Sequence, residues 1–176
     1  AFVINPPSLG ARFNSNPVEY VTHETGAWSL RFILLTLLMT PLRRLTGWVL
    51  PLRIRRMLGL FAFFYVTLHF VIYAGLDLGL DWSHLGEDII KRPFITIGFL
   101  AWLLLIPLAM TSTNAMMRRL GRRWKKLHKL VYLIGMLGVV HFIWLVKKDL
   151  LEPLIYAGIF IVLMLLRLPS RSQKVR

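Results

Sequence analysis

The 176-residue chain contains no cysteine. That excludes a disulfide framework, thiolate-ligated zinc, iron–sulfur clusters and thioether-bound c-type haem. Any metal must be held by histidine, methionine or carboxylate. Acidic residues are scarce too: eight Asp and Glu stand against 22 Lys and Arg, for a formal net charge of +14. None of the eight falls inside a long apolar run, so a proton-coupled transporter working through buried carboxylates has little to build on. There is no Gly-rich dinucleotide fingerprint, and with the chain ending soon after its last apolar run no flavin or nicotinamide domain is expected in it.

What is abundant is apolar sequence. Hydrophobic residues make up 56 % of the chain and the mean hydropathy is +0.61. They cluster into runs long enough to cross a bilayer. The reading is an all-α, polytopic membrane helix bundle with five transmembrane helices, at about 28–45, 57–76, 93–113, 127–146 and 153–168. Residues 1–25, rich in Pro, Asn and Ser, read as an N-terminal loop, and 169–176 as a basic tail. The basic residues sit in short blocks between the runs, a pattern that sets topology rather than one that grips nucleic acid.

The charges separate by side. Glu19, Glu24, Asp77, Asp81, Glu87, Asp88, Asp149 and Glu152 all fall on one face of the membrane. The loop with Arg43, Arg44, Arg53, Arg55 and Arg56, the block from Arg118 to Lys126 and the tail fall on the other. The positive side is expected in the cytoplasm. The start of this chain is then periplasmic and its end cytoplasmic, and a further span is expected upstream of Ala1. Pro51 is expected to break the helix in the first basic loop, and a short interfacial helix is expected near 82–90. Arg31, inside the first span, either snorkels to the interface or pairs with an anionic cofactor group.

Ionisable groups inside a span are costly and mark function. His69 lies 13 residues after Arg56, and His141 lies 15 residues after Lys126. At ~1.5 Å per residue both sit ~20 Å from the cytoplasmic boundary on parallel helices. Two imidazoles facing each other at one depth supply both axial positions of a b-type haem. His128 lies near the cytoplasmic boundary, where a second haem would need a partner. The matching position on the second span is Arg56. His84, outside the apolar runs, reads as an exposed loop histidine.

At these residues the sequence resembles the ferric-reductase-like transmembrane domain and, more closely, the MsrQ (YedZ) family. The stretches that carry the resemblance are TPLRRL (40–45), RRMLGLFAFFYVTLHFVIY (55–73), RPFITIGFLAW (92–102), LAMTSTNAMMRRLGRRWKKLHKLVYL (108–133), VHFIW (140–144) and PLIYAG (153–158). The resemblance implies six spans, the first missing here, with residues 26–168 as the haem-binding domain. It implies haem ligands at His69, His141 and His128, one or two haem b groups, and FMN. It also implies electrons from the quinone pool or a cytosolic flavin reductase, passed to MsrP, a periplasmic molybdopterin methionine sulfoxide reductase. The chain would be an electron-transfer subunit in the bacterial inner membrane, with no substrate chemistry of its own. Two other readings stand beside it: another ferric-reductase-like or cytochrome b carrier, and a histidine-relay proton-coupled transporter.

Overall fold

The first helix, α1, runs 30 residues from Pro17 to Thr46 in the computed structural model, which describes residues 16–146 and 149–168. The expected loop before residue 16 and the tail 169–176 lie outside the described residues. Residues 17–25, expected as loop, are helical. Asn16 caps the helix by accepting from the Glu19 backbone N–H at 3.2 Å, and Pro17 occupies the first turn, where its missing N–H costs nothing. His23 and Glu24 therefore lie on α1, not in a loop. The helix ends at Gly47, whose φ of 74° suits glycine and whose N–H donates to the Arg43 carbonyl.

Helix α2 (Leu50–Ile72) packs antiparallel along α1. Pro51 does not break it: the proline sits in its first turn and begins it. A π-helical turn, Tyr73–Asp77, extends α2 by a Leu78 N–H···Tyr73 O bond of 3.1 Å. Then come α3 (Trp82–Lys91) and α4 (Pro93–Met110). The basic segment, read as a loop, forms two short helices, α5 (Asn114–Leu120) and α6 (Arg122–Leu127). The chain breaks at His128–Lys129 before α7 (Leu130–Leu145), and α8 (Leu151–Leu165) follows.

Four segments have the length and hydropathy to span a membrane: Pro17–Thr46, Arg53–Asp77, Pro93–Met110 and Arg122–Leu145; α8 is apolar but shorter. The protein is a polytopic helical membrane protein. Its core runs along α1 through Leu30, Ile33, Leu34 and Leu37, and meets Leu105 of α4 and Ile134 of α7. Helix α7 packs chiefly on α4, and α1 touches α2, α7 and α8. At the C-terminal end of α4, hydroxyls satisfy carbonyls: Thr111 donates to Pro107 O at 2.6 Å and Ser112 to Leu108 O at 2.7 Å. Trp102 packs inside the bundle, stacked on Phe70 and donating to Thr67 Oγ1 at 3.1 Å. Arg31 lines neither of the two cavities that open between the helices. Its Nε donates to the Tyr156 hydroxyl at 2.7 Å, and Glu152 lies 4.0 Å away, so it ties α1 to α8.

Helix α3 is capped by Asp81, which accepts from the backbone N–H groups of Ser83 and His84. The same carboxylate lies 2.7 Å from the His84 ring. Hydrogen bonding and charge from Asp81 raise the His84 pKa above its ordinary 6.5. Hydrogen bonds, first from Ser83 and then from His84, push Asp81 below its ordinary 3.8. The ring's contribution is complete below 6.5 and fades as pH rises through the raised value. The carboxylate's contribution is complete above 3.8 and fades as pH falls through the lowered one. The cap is therefore strongest between those limits. Asp81→Asn is expected to bring the His84 titration down toward 6.5, read by NMR of the ring protons; an unmoved titration contradicts the pairing.

Candidate functional site

Two cavities open between the helices, one toward each end. The larger, about 380 Å³, is lined by α1, α2, α4 and α7 and includes both His69 and His141. Glu19, His23, Asp77 and Arg92 also line it, which places it toward the acid-rich end of the bundle. The second, about 360 Å³, is lined by Arg53, Arg55, Arg56, Trp124 and His128, at the basic end.

The two deep histidines meet as their depth implied. Their ring centres are 6.4 Å apart and their planes nearly perpendicular, at 78°. Each ring is held by a backbone carbonyl of another helix. His69 Nδ1 lies 2.8 Å from Thr22 O on α1, and His141 Nδ1 lies 2.7 Å from Phe94 O on α4. A carbonyl only accepts, so in each ring Nδ1 carries the hydrogen and Nε2 keeps its lone pair. The Thr22 hydroxyl is turned back to Val18 O at 2.8 Å. This is the orientation of metal-binding histidines, whose far N–H is anchored to fix the tautomer.

The residues present fit a haem. Two imidazoles on opposite sides of one iron, each bonded at about 2 Å, have ring centres about 6 Å apart. The cavity they share is lined by apolar residues such as Ile33, Val66, Phe70, Leu105 and Phe142 beside the charged groups at its acid-rich end. Among the described residues no three His, Cys, Asp or Glu converge on a point, so a chelated metal ion has no ligand set there.

His128 is not part of this constellation. It sits at the break between α6 and α7, stacked on Trp124 with ring centres 3.9 Å apart. Its Nδ1 donates to Trp124 O at 3.2 Å, and its buried Nε2 makes no full hydrogen bond, although the Leu108 carbonyl lies by the ring. Arg56, at the position that would mirror it on α2, shares its cavity and donates to Asn114. His84 is exposed on α3 and remote from both cavities' linings.

Several site residues escaped the sequence reading. Thr22 and Phe94 act through backbone carbonyls, which carry no side-chain signal. Gly26 and Gly98 lie against the two histidines. A small residue inside an apolar run does hint at close helix contact. His23 was lost because the segment read as loop.

The family model described as "Ferric reductase like transmembrane component" matches residues 25–139, ending just before His141. The "Protein-methionine-sulfoxide reductase heme-binding subunit MsrQ" of Xanthomonas oryzae pv. oryzae is 56 % identical over 157 residues, covering 89 % of this chain and 70 % of the relative. The protein of the same description from Xanthomonas euvesicatoria is 57 % identical over the same shares. That from Ralstonia nicotianae is 56 % identical over 164 residues, covering 90 % of this chain and 76 % of the relative. No solved structure matches. On this likeness, and on a bundle that carries two anchored histidines across one cavity, the chain belongs to the ferric-reductase-like transmembrane family and, within it, to the MsrQ haem-binding subunits.

Proposed function

We propose that the chain is the electron-carrying membrane subunit of a protein-methionine-sulfoxide reductase system, with His69 and His141 as the axial ligands of a b-type haem. The observation that carries this reading is the pair of imidazoles 6.4 Å apart, each with Nδ1 tied to a carbonyl and Nε2 left basic. Bound haem supplies a one-electron carrier. His69 and His141 would hold the haem, and apolar lining residues such as Ile33, Val66 and Phe142 would pack against it. The basic-end cavity is the proposed second haem position: His128 lines it, and its buried Nε2 makes no full hydrogen bond.

The proposed setting is the bacterial inner membrane, with five spans in this chain. The acid-rich end is periplasmic and the basic end cytoplasmic. Residues 26–168 form the haem-binding domain. Electrons come from the quinone pool or a cytosolic flavin reductase, which a basic face suits electrostatically. They leave to an MsrP-like molybdopterin enzyme in the periplasm. FMN rests on the family resemblance alone. The chain performs no substrate chemistry itself.

The test is an optical spectrum of the purified protein, oxidised and dithionite-reduced, with pyridine haemochrome stoichiometry. A sharp reduced α-band of six-coordinate b haem is expected, discharged on addition of an MsrP-type enzyme with methionine sulfoxide. A colourless protein made with ample haem supply overturns the reading.

A further inference from the structure

The two histidines are held by the same device, repeated in each half of the bundle. His69 bonds Thr22 O, and Gly26 stands four residues after Thr22. His141 bonds Phe94 O, and Gly98 stands four residues after Phe94. The sequence separation from carbonyl to histidine is 47 in both cases. A Cβ on Gly26 would lie 3.1 Å from Cε1 and Nδ1 of His69; a Cβ on Gly98 would lie 2.9 Å from the same atoms of His141.

The geometry of a helix explains the spacing. A helical side chain covers the turn N-terminal to its own Cα. The side chain at i+4 therefore flanks the carbonyl of residue i. That carbonyl already accepts the i+4 N–H, but it has further acceptor capacity, which at Thr22 also meets the Thr25 hydroxyl at 3.0 Å. Glycine at i+4 uncovers the carbonyl, and the imidazole moves in over the bare Cα. The other helical glycines do not do this. Gly75, Gly86 and Gly158 face open space, and Gly135 meets the Phe160 ring at 2.8 Å. Among the described residues only Gly26 and Gly98 would drive a Cβ into a histidine.

We infer that Gly26 and Gly98 are positioning residues for the two axial imidazoles. They admit each ring to its carbonyl, and so set both the ring's rotation and the electron-donating strength of its Nε2. The inference rests on the haem reading above. An Nδ1–H held by a carbonyl makes the ligand more basic, which favours ferric over ferrous iron. A methyl at either position pushes the ring away, weakens that bond and raises the reduction potential. The tighter approach at Gly98 makes it the more sensitive of the two.

The experiment uses the full chain purified with haem, as wild type, Gly26→Ala and Gly98→Ala. It reads haem stoichiometry, the ferric low-spin EPR g-values and the midpoint potential. Both variants are expected to show shifted g-values and a raised potential, more so for Gly98→Ala. Loss of haem from a folded Gly98→Ala protein carries the same meaning. Gly158→Ala and Gly135→Ala are the controls. The second crowds Phe160 and lowers thermal stability, but leaves the g-values and potential in place. If Gly98→Ala does not accumulate, Gly26→Ala decides, since its clash is milder. Wild-type g-values and potential in the glycine variants overturn the inference, whereas a wild-type protein without haem overturns the function it rests on.

Discussion

His69→Ala and His141→Ala should each remove the haem held at the acid-rich end. Either change leaves a single imidazole facing a cavity where two stood 6.4 Å apart. A b-type haem has no covalent tether, so its axial bonds carry much of its retention. Each alanine variant is expected to lose essentially all of the α-band assigned to this site. The apoprotein should still fold, because its core lies along Leu30, Leu34, Leu37, Leu105 and Ile134 and does not depend on the rings. Imidazole added to the growth medium should restore part of the band by filling the vacated space. His84→Ala is the matched control: that ring is 71 % exposed and pairs with Asp81 at 2.7 Å. Spectra with full haem in both ligand variants would sink the assignment.

The parts of this site that were legible in the sequence are those that cost the membrane something. A histidine in an apolar run is conspicuous, and counting from the flanking arginines and lysines placed His69 and His141 at one depth. The polytopic helical class was legible for the same reason, and four of the five expected spans have the length and hydropathy to cross a membrane, while α8 is apolar but shorter. What was not legible acts through backbone or through small size. The start of α1 was missed because Pro, Asn and Ser composition outweighed a local signal: Asn16, Pro17 and Glu19 together form a helix start. That error moved His23 off the cavity wall. The carbonyls of Thr22 and Phe94 became visible only when the fold brought them to the rings. A turn at His128–Lys129 separates α6 from α7, and His128 and His141 line different cavities.

Removal of the Arg167 guanidinium is expected to destabilise the bundle, and its cause lies 126 residues earlier in the chain. Pro41 sits inside α1 and has no N–H to give to the carbonyl four residues before it, that of Leu37. A freed carbonyl in a membrane helix must find another donor. Arg167, just past the end of α8, supplies it: one terminal nitrogen donates to Leu37 O and the other to the Tyr132 hydroxyl at 2.6 Å. The same guanidinium lies over the Tyr132 ring, 5.2 Å from its centre. One side chain thus ties α1, α7 and α8 together at the basic end. Arg167→Met keeps much of the stem's packing and removes the donors. A charged hydrogen bond is worth roughly 1.5–3 kcal/mol, so a loss of about 2 kcal/mol is expected, read as a lower thermal midpoint in detergent. Pro41→Ala then tests the cause. In the Arg167→Met background it gives residue 41 an N–H for Leu37 O and should recover part of the loss. In the wild-type background it should gain nothing, because the carbonyl is already served and the buried proline ring leaves a gap. The double-mutant cycle cancels that packing cost and isolates the coupling, expected at about 1 kcal/mol. Strictly additive effects would mean that Arg167 stabilises the bundle through Tyr132 alone, and that the Leu37 carbonyl is satisfied without it.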